Sequence, residues 1–201
     1  MYNGVINVYK EKAFTSHDVV AKLRGILHQK KIGHTGTLDP DATGVLPVCL
    51  GNATKLCDIL ADKSKTYSVV MQLGVVTDTQ DMSGKILEDN SDKCIPSKDE
   101  ITQAIMSFLG DYAQIPPMYS ALKVNGKKLC DLAREGIEVE RKPRNITINH
   151  IDINDIDEKN KTVSMVVDCS KGTYIRTLCH DIGIKLGIGA AMKELVRIRV
   201  S

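Results

Sequence analysis

The segment from Lys31 to Gly44, KIGHTGTLDPDATG, constrains the fold more than any other part of the sequence. Its three glycines permit backbone angles that other residues resist, and Pro40 disfavours helical angles at Asp39. The segment must therefore be a bent loop, placed between a basic helix and an apolar strand, and it displays the Asp39 carboxylate. Such a carboxylate could be a nucleophile or a general base. Alternatively, it could be the side chain of an Asx-turn that only shapes the loop.

The composition is that of an ordinary globular protein, with 42% hydrophobic and 26% charged residues. No apolar run approaches the roughly 20 residues of a membrane span, and the N-terminus lacks the pattern of a signal peptide. We therefore expect a cytoplasmic protein that makes no contact with a membrane.

The six cysteines include no Cys-x-x-Cys pair and are predicted to be small buried hydrophobes. Cys179 and His180 are neighbours, but no further ligands follow at zinc spacing, so we expect no metal site.

Positive charge is concentrated in two regions, although the net charge is only +2. Residues 22–34 contain four lysines or arginines, two histidines and no acid, and residues 123–144 contain seven lysines or arginines against four acids. Each region is either solvated surface or a contact for an anionic backbone, whose affinity would depend on salt. The position of the first region, directly before the Asp39 loop, favours contact with phosphate.

Hydrophobic periodicity predicts more strands than helices. We expect strands over 4–9, 45–50, 67–75, 85–88, 139–156, 162–169 and 193–200, and helices over 18–28, 54–60, 97–109, 127–134 and 173–186. Thr15-Ser16 can cap the first helix, Ser97 to Glu100 form a capping box, and Asn125-Gly126 predicts a turn.

Short turns between adjacent strands indicate an α+β fold with a mixed, largely antiparallel central sheet flanked by helices. The chain shows no internal repeat, low-complexity tract or linker. We therefore expect a single domain, residues 1–201, with a basic, glycine-punctuated insertion at roughly 118–145 that orders when substrate binds.

Four motifs occur in a fixed order along the chain. They are GHTGTLDP with ATGVLPVCLG (33–51), KTY with Gly74 and TDT (65–79), IPPMYSALK (115–123) and CSKGTYIRTL (169–178). Together they resemble the tRNA pseudouridine-55 synthases of the TruB type, and the match extends from about Gly4 to the last residue. The resemblance implies a pseudouridine synthase-like catalytic fold and an isomerase that acts on a uridine in the T-loop of tRNA.

The reaction of this family breaks the bond between C1′ and N1 of uridine and rejoins the uracil through C5. Because atoms balance and no electrons are lost, the resemblance implies no redox cofactor. It does imply a nucleophile, a base, a cavity that holds the detached uracil, and a means of unstacking the target nucleotide.

The resemblance assigns Asp39 as the catalytic nucleophile and Arg176 as its ion-pair partner. Tyr67 matches the tyrosine that stacks on the target base and could act as the base. Since the ordinary pKa of tyrosine is near 10, stacking suits it better than proton abstraction at neutral pH. Tyr174 and Leu195 match positions that line the pocket. From the residues alone, the arginine could be a surface cation and the other three ordinary packing residues.

His34 matches the histidine that fills the space left when the target nucleotide is flipped out, although it could equally shape the loop through a ring hydrogen bond. Flipping costs a few kcal/mol and is cheapest in RNA loops and bulges. Lys10 and Lys123 are the remaining candidates for substrate contact. The partner implied is the T-arm stem-loop of tRNA, bound by a monomer.

The sequence departs from the family in two places. The N-terminal Lys-Pro-x-Gly of the family is here Lys10-Glu11-Lys12-Ala13, so proline and glycine are both missing and the placement of Lys10 is open. Many relatives continue into a small C-terminal RNA-binding domain, which we expect to be absent from this sequence.

Two other functions are compatible with the residues. A glycoside hydrolase would need a second carboxyl group about 5 to 10 Å from Asp39, and Asp41 is the nearest candidate in sequence. A non-catalytic RNA-binding module would rely on stacking aromatics, yet the chain has only eight aromatic residues and no tryptophan. That module predicts that Asp39→Asn leaves function intact, whereas the isomerase predicts loss of turnover with RNA binding retained.

Overall fold

The computed structural model describes residues 1–124 and 126–201, and in these ranges it contains twelve strands and five α-helices. The strands are β1 (Gly4–Lys10), β2 (Ile32–His34), β3 (Thr43–Leu50), β4 (Lys65–Leu73), β5 (Val75–Thr77), β6 (Ile86–Asp89), β7 (Gly110–Gln114), β8 (Lys123–Val124), β9 (Lys127–Lys128), β10 (Arg144–Asp157), β11 (Thr162–Cys169) and β12 (Ala190–Val200). The helices are α1 (Ser16–Leu27), α2 (Cys57–Ala61), α3 (Lys98–Met106), α4 (Leu129–Arg134) and α5 (Ile175–Lys185). None of these helices is long and apolar enough to cross a bilayer.

Eight of the strands form the central sheet, in the order β1-β3-β12-β4-β11-β10-β7 with β2 paired to β3. The pairings in this sheet are antiparallel except the short parallel contact of β12 with β3. The predicted α+β fold with a mixed, largely antiparallel sheet is therefore confirmed. The hairpins β5–β6 and β8–β9 lie outside the sheet.

Two apolar cores hold the sheet and helices together. Strand β4 alternates buried and half-buried residues along its whole length, and its buried face packs with α3 and α5 in the larger core. A smaller core lies between α1 and the strands β2 and β3. Each fully buried aliphatic side chain contributes about 1.5–3 kcal/mol of transfer free energy. The loop between β2 and β3, which carries Asp39, contributes Leu38 and Ala42 to the larger core, while the two strands themselves belong to the smaller one.

The cap predicted at Thr15 and the capping box predicted at Ser97 are both present, and the cap at Thr15 is itself a capping box. The Thr15 hydroxyl accepts a hydrogen bond from the Asp18 N–H at 3.0 Å, and the Asp18 carboxylate accepts one from the Thr15 N–H at 2.9 Å. Ser97 and Glu100 make the same exchange before α3. These bonds satisfy N–H groups that have no partner within the helix, so the start of a helix is fixed by four adjacent residues.

Several predicted boundaries were wrong. The helix expected over 54–60 begins as a 3-10 helix at Gly51–Leu56 and becomes α-helical only at Cys57. The strand expected from residue 139 starts at Arg144, immediately after Pro143, which has no N–H for a ladder. The helix expected from residue 127 begins at Leu129, because the two preceding lysines form β9. The turn predicted at Asn125 lies outside the described residues.

Ala13 has a left-handed backbone conformation, with φ of 68°, at the position where the family motif has glycine. Its N–H donates to the Pro40 carbonyl at 3.0 Å, so the bend is held by the Asp39 loop. Because a left-handed conformation strains any residue with a Cβ, we expect Ala13→Gly to raise the free energy of unfolding by about 1 kcal/mol and Tm by roughly 2–4 °C. Urea and thermal unfolding measure both quantities.

The matched control is Ala21→Gly in the middle of α1, which is expected to lower the free energy of unfolding by about 1 kcal/mol. If both glycine substitutions destabilise the protein, the strain at Ala13 does not exist.

Candidate active site

The loop that carries Asp39 is fixed to the core on both sides of the carboxylate. Leu38 and Ala42 are 3% and 1% exposed, within the larger core. The Leu38 N–H donates to Ser16 Oγ at 2.8 Å, and the Ala42 N–H donates to the Asp39 carbonyl at 3.1 Å. The second bond closes a turn with Pro40 at its second position, where a fixed φ is favourable. The Asp39 side chain, 37% exposed, therefore projects from a loop with little freedom to move.

Lys10 lies beneath this loop and is completely buried. Its ammonium group donates to the carbonyl oxygens of Glu11, Phe14 and Pro40 at 3.0, 2.6 and 3.1 Å. Since an ammonium group has three protons, these bonds leave none for a phosphate. Lys10 thus stabilises the Asp39 loop from beneath. The predicted contact of Lys10 with substrate is contradicted by these bonds.

Arg176 is held in the first turn of α5 and is 6% exposed. Its guanidinium meets the Asp39 carboxylate side-on, with Nε 3.0 Å from Oδ2 and Nη2 3.4 Å from Oδ1. Nη1 donates to the Thr79 carbonyl at 3.2 Å and lies 3.5 Å from Oδ2 of Asp81. Nη2 also donates to the Tyr119 carbonyl at 2.9 Å. The predicted Asp39–Arg176 ion pair is thus present, and three other residues fix its geometry.

Burial raises the pKa of the Asp39 carboxyl group, while the Arg176 guanidinium opposes the rise and the Asp81 carboxylate adds to it. A carboxylate in these surroundings is less solvated and more basic than an aspartate on an open surface. Both properties suit a nucleophile or a general base, and the arginine keeps the ionised form available.

A cavity of about 500 Å³ adjoins the ion pair. Sites for small organic ligands commonly measure about 300–1,000 Å³, so a nucleoside fits this volume. Five predicted site residues from four different elements line the cavity: Asp39, Tyr67, Tyr174, Arg176 and Leu195. A second cavity of about 440 Å³ also includes Asp39, Arg176 and Leu195. The ion pair therefore lines both cavities.

Tyr67 is 8% exposed on β4, and burial raises the pKa of its phenol to about 12. At neutral pH the phenol is therefore protonated and is a poor proton acceptor. Tyr174 is half-buried immediately before α5, where the Gln114 side chain holds its backbone. The Tyr174 N–H donates to Gln114 Oε1 at 2.8 Å, and Gln114 Nε2 donates to the Tyr174 carbonyl at 3.0 Å. The Tyr67 ring is thus buried, and the Tyr174 backbone is held in place, before any ligand binds.

In the described part of the chain, neither His34 nor Lys123 lines either of the two cavities beside Asp39. His34 ends β2 and lines a separate basic cavity of about 550 Å³, together with Arg24 and Lys31. Its Nδ1 accepts a hydrogen bond from the Gly36 N–H at 3.3 Å. Burial lowers the pKa of the imidazole, which favours a neutral, flat ring at pH 7.

Lys123 is exposed in β8, within a segment that leaves the sheet between β7 and β10. The segment contains the hairpin β8–β9 and helix α4, and its residues Tyr119 and Cys130 line both cavities beside the ion pair. The segment occupies the position of the predicted basic insertion and contributes to the walls of both cavities.

Sequence reasoning missed Asp81, Gln114 and Arg197. Gln114 directly precedes the IPPMYSALK motif, and Asp81 follows the TDT motif after one intervening residue. This proximity is the only sequence signal for either residue. Arg197 lies on the same face of β12 as Leu195, lines the cavity and is 1% exposed. Its burial follows from the packing of β12 between β3 and β4, which no local pattern predicts.

Within residues 1–124 and 126–201, the structure groups no three His, Cys, Asp or Glu side chains as metal ligands would be grouped. The expectation of buried cysteines was correct for Cys49, Cys169 and Cys179 and wrong for Cys94, which is exposed.

Two family models match this chain. One, described as the TruB family pseudouridylate synthase (N terminal domain), matches residues 24–175. The other, described as the tRNA pseudouridylate synthase B C-terminal domain, matches residues 176–201. In the structure, residues 176–201 contain nearly all of α5 and the whole of β12, both of which pack in the central sheet assembly.

Curated proteins named tRNA pseudouridine synthase B are similar over almost the whole chain. The protein of Lachnoclostridium phytofermentans is 59% identical over 205 residues, covering 99% of this chain and 66% of the relative. That of Clostridium perfringens is 56% identical over 197 residues, covering 98% and 66%. That of Bacillus pumilus is 52% identical over 200 residues, covering 98% and 65%. The chain thus spans slightly less than two thirds of the length of these relatives.

Solved structures show the same fold. A chain of a Cbf5-Nop10-Gar1 complex superposes with a TM-score of 0.75 at 36% identity, covering 98% of this chain and 48% of that chain. A chain of an H/ACA RNP bound to a substrate RNA containing 2′-deoxyuridine superposes with a TM-score of 0.71 at 32% identity, covering 98% and 47%.

Proposed function

We propose that this chain, which belongs to the TruB family of pseudouridylate synthases, isomerises the uridine at position 55 in the T-loop of tRNA to pseudouridine. The observation that carries the proposal is the Asp39–Arg176 ion pair at the wall of a nucleoside-sized cavity. The curated relatives, named tRNA pseudouridine synthase B, support tRNA as the substrate.

Asp39 is the nucleophile in this proposal, and it attacks either C1′ of the ribose or C6 of the uracil. The C1′–N1 bond breaks, the uracil turns within the cavity, and a bond forms between C5 and C1′. The proton on C5 leaves and N1 gains a proton, so the reaction needs no oxidant or reductant. Tyr67 stacks on the ring, while Tyr174 and Leu195 confine the sugar and base.

The target nucleotide must leave the T-loop stack before it can reach Asp39, at a cost of a few kcal/mol. His34 lies at the start of the loop that carries Asp39, and its neutral ring is suited to stack in the space that the nucleotide leaves. Residues 118–145 form the RNA-contacting insertion of a single catalytic domain, and Lys123 is an exposed cation that can meet the backbone. The protein acts as a monomer in the cytoplasm.

The experiment that tests this function uses an unmodified tRNA transcript tritiated at C5 of uracil. Incubation with the protein, without metal or nucleotide, is expected to release tritium, and mapping is expected to place one pseudouridine in the T-loop. RNA binding without release would favour a non-catalytic RNA-binding module. A curated relative run in parallel shows whether the part of the relatives that this chain does not span is needed for turnover.

A further inference from the structure

Arg197 is a buried cation that no carboxylate neutralises in the described part of the chain. Its Nε donates to the Val45 carbonyl at 2.8 Å and its Nη2 to the Gly36 carbonyl at 3.2 Å. A guanidinium has five protons, and these two bonds use two of them. Burial of a charge without a counter-charge costs several kcal/mol, so its retention beside a cavity calls for a functional reason.

The guanidinium is fixed by the loop that carries Asp39. Gly36 and Val45 lie on the two sides of Asp39 along the chain, and Gly44 pairs with Arg197 between β3 and β12. A Cβ at Gly44 would lie 2.2 Å from the Arg197 carbonyl oxygen, so only glycine permits this approach. Two glycines of the loop motif therefore serve the placement of Arg197.

Arg197 also lines the cavity that would hold the base. Arg197 pairs with Tyr67 in the register of β12 and β4, and both side chains line the 500 Å³ cavity. Lys65 and Arg176 also line this cavity, whereas Asp39 is its one carboxylate among the described residues. The cavity therefore has an excess of positive charge beside the ring-stacking residue.

We propose that Arg197 is a further catalytic residue, which donates a hydrogen bond to a carbonyl oxygen of the uracil ring and stabilises the negative charge that forms there. The inference rests on the proposed function. When the C1′–N1 bond breaks, its electron pair stays on the uracil and spreads onto the two carbonyl oxygens. The charge disappears again when C5 bonds to C1′, so the arginine is unchanged at the end of the reaction.

The test compares wild type with Arg197→Gln and Arg197→Lys under single-turnover conditions with saturating RNA. Loss of one fixed donor to a developing anion commonly slows the chemical step by about 10²–10³-fold. We expect that loss for Arg197→Gln, with the Kd for tRNA within about twofold of wild type. Arg199→Gln is the matched control, because Arg199 lies on the same strand and its side chain is 61% exposed. It should retain the wild-type rate.

A second substrate separates ring stabilisation from a structural role. Fluorine at C5 withdraws electrons and makes the detached ring a more stable anion. Arg197→Gln should therefore slow cleavage of 5-fluorouridine at the target position several-fold less than it slows cleavage of uridine. Mass spectrometry of the digested RNA measures the cleavage of 5-fluorouridine.

An equal loss of rate with both substrates would overturn the proposal and leave Arg197 as a support for the loop. An unchanged rate in Arg197→Gln would overturn it as well. If Arg197→Gln does not fold, as shown by its urea unfolding curve, Arg197→Lys is judged by the same substrate comparison. Failure of wild type to release tritium would instead contradict the proposed function itself.

Discussion

Asp39→Asn is expected to abolish turnover, by at least about 10⁴-fold, while tRNA binding stays within a few-fold of wild type. Loss of a catalytic nucleophile removes a whole step of the reaction, and such losses commonly reach 10⁴–10⁶-fold. Asparagine has nearly the same shape as aspartate but no nucleophilic oxygen anion. Tritium release measures turnover, and filter binding measures the Kd.

The same substitution is not expected to reduce stability. The pKa of Asp39 is raised in the folded state, so the ionised carboxyl group opposes folding at neutral pH and favours it only when protonated. Removing the charge should leave the urea midpoint at pH 7 equal to or above that of wild type. This is the expected behaviour of an active-site residue whose reactive, ionised form lowers the stability of the folded protein. Asp41→Asn, two residues away on the exposed part of the loop, is the matched control. It should change neither turnover nor the urea midpoint. Turnover by Asp39→Asn would exclude Asp39 as the nucleophile.

Arg176→Gln is expected to move the acid limb of the pH–rate profile to higher pH. The guanidinium holds the pKa of Asp39 down against burial, and an adjacent arginine commonly lowers a carboxyl pKa by about 1–3 units. Without it, Asp39 should stay protonated to a higher pH, so that activity at pH 7 falls and partly returns as the pH rises. Single-turnover rates measured between about pH 5 and 9 give the position of the limb.

Arg176→Lys is the control for charge, since it keeps the cation but loses the side-on pair with Asp39. Its rate should fall while its acid limb stays close to that of wild type. An unshifted limb in Arg176→Gln, with the fold intact by urea unfolding, would show that Arg176 does not set the ionisation of Asp39.

Local sequence signals predicted the parts of the structure that depend on adjacent residues. The helix caps predicted at Thr15 and Ser97 were correct because their bonds join groups three residues apart. The strand over 162–169 was correct at both ends, since alternation is unbroken there. The start predicted for β10 was wrong, because the strand begins only after Pro143, at the residue that pairs with the end of β7.

The candidate site also combines features that the sequence predicted with features that only the folded chain creates. The motifs identified Asp39 and Arg176, which lie 137 positions apart in sequence, only through resemblance to a family, and the ion pair joins them in space. The predicted substrate contact of Lys10 fails on geometry, because three carbonyls from two separate segments occupy its ammonium group. Such a set of acceptors exists only after the chain has folded.

By itself, the sequence determined the bent loop around Asp39, the α+β class and most of the helices and strands, because glycine and proline angles, periodicity and caps are properties of neighbouring residues. Only the tertiary structure decided that β12 lies between β3 and β4, and hence that Arg197 is buried against the Asp39 loop. The tertiary structure also decided the charge environment of the cavity. The burial that raises the pKa of Asp39 and the charges that oppose it come from segments distant in sequence, and they act only once folding has excluded water between them.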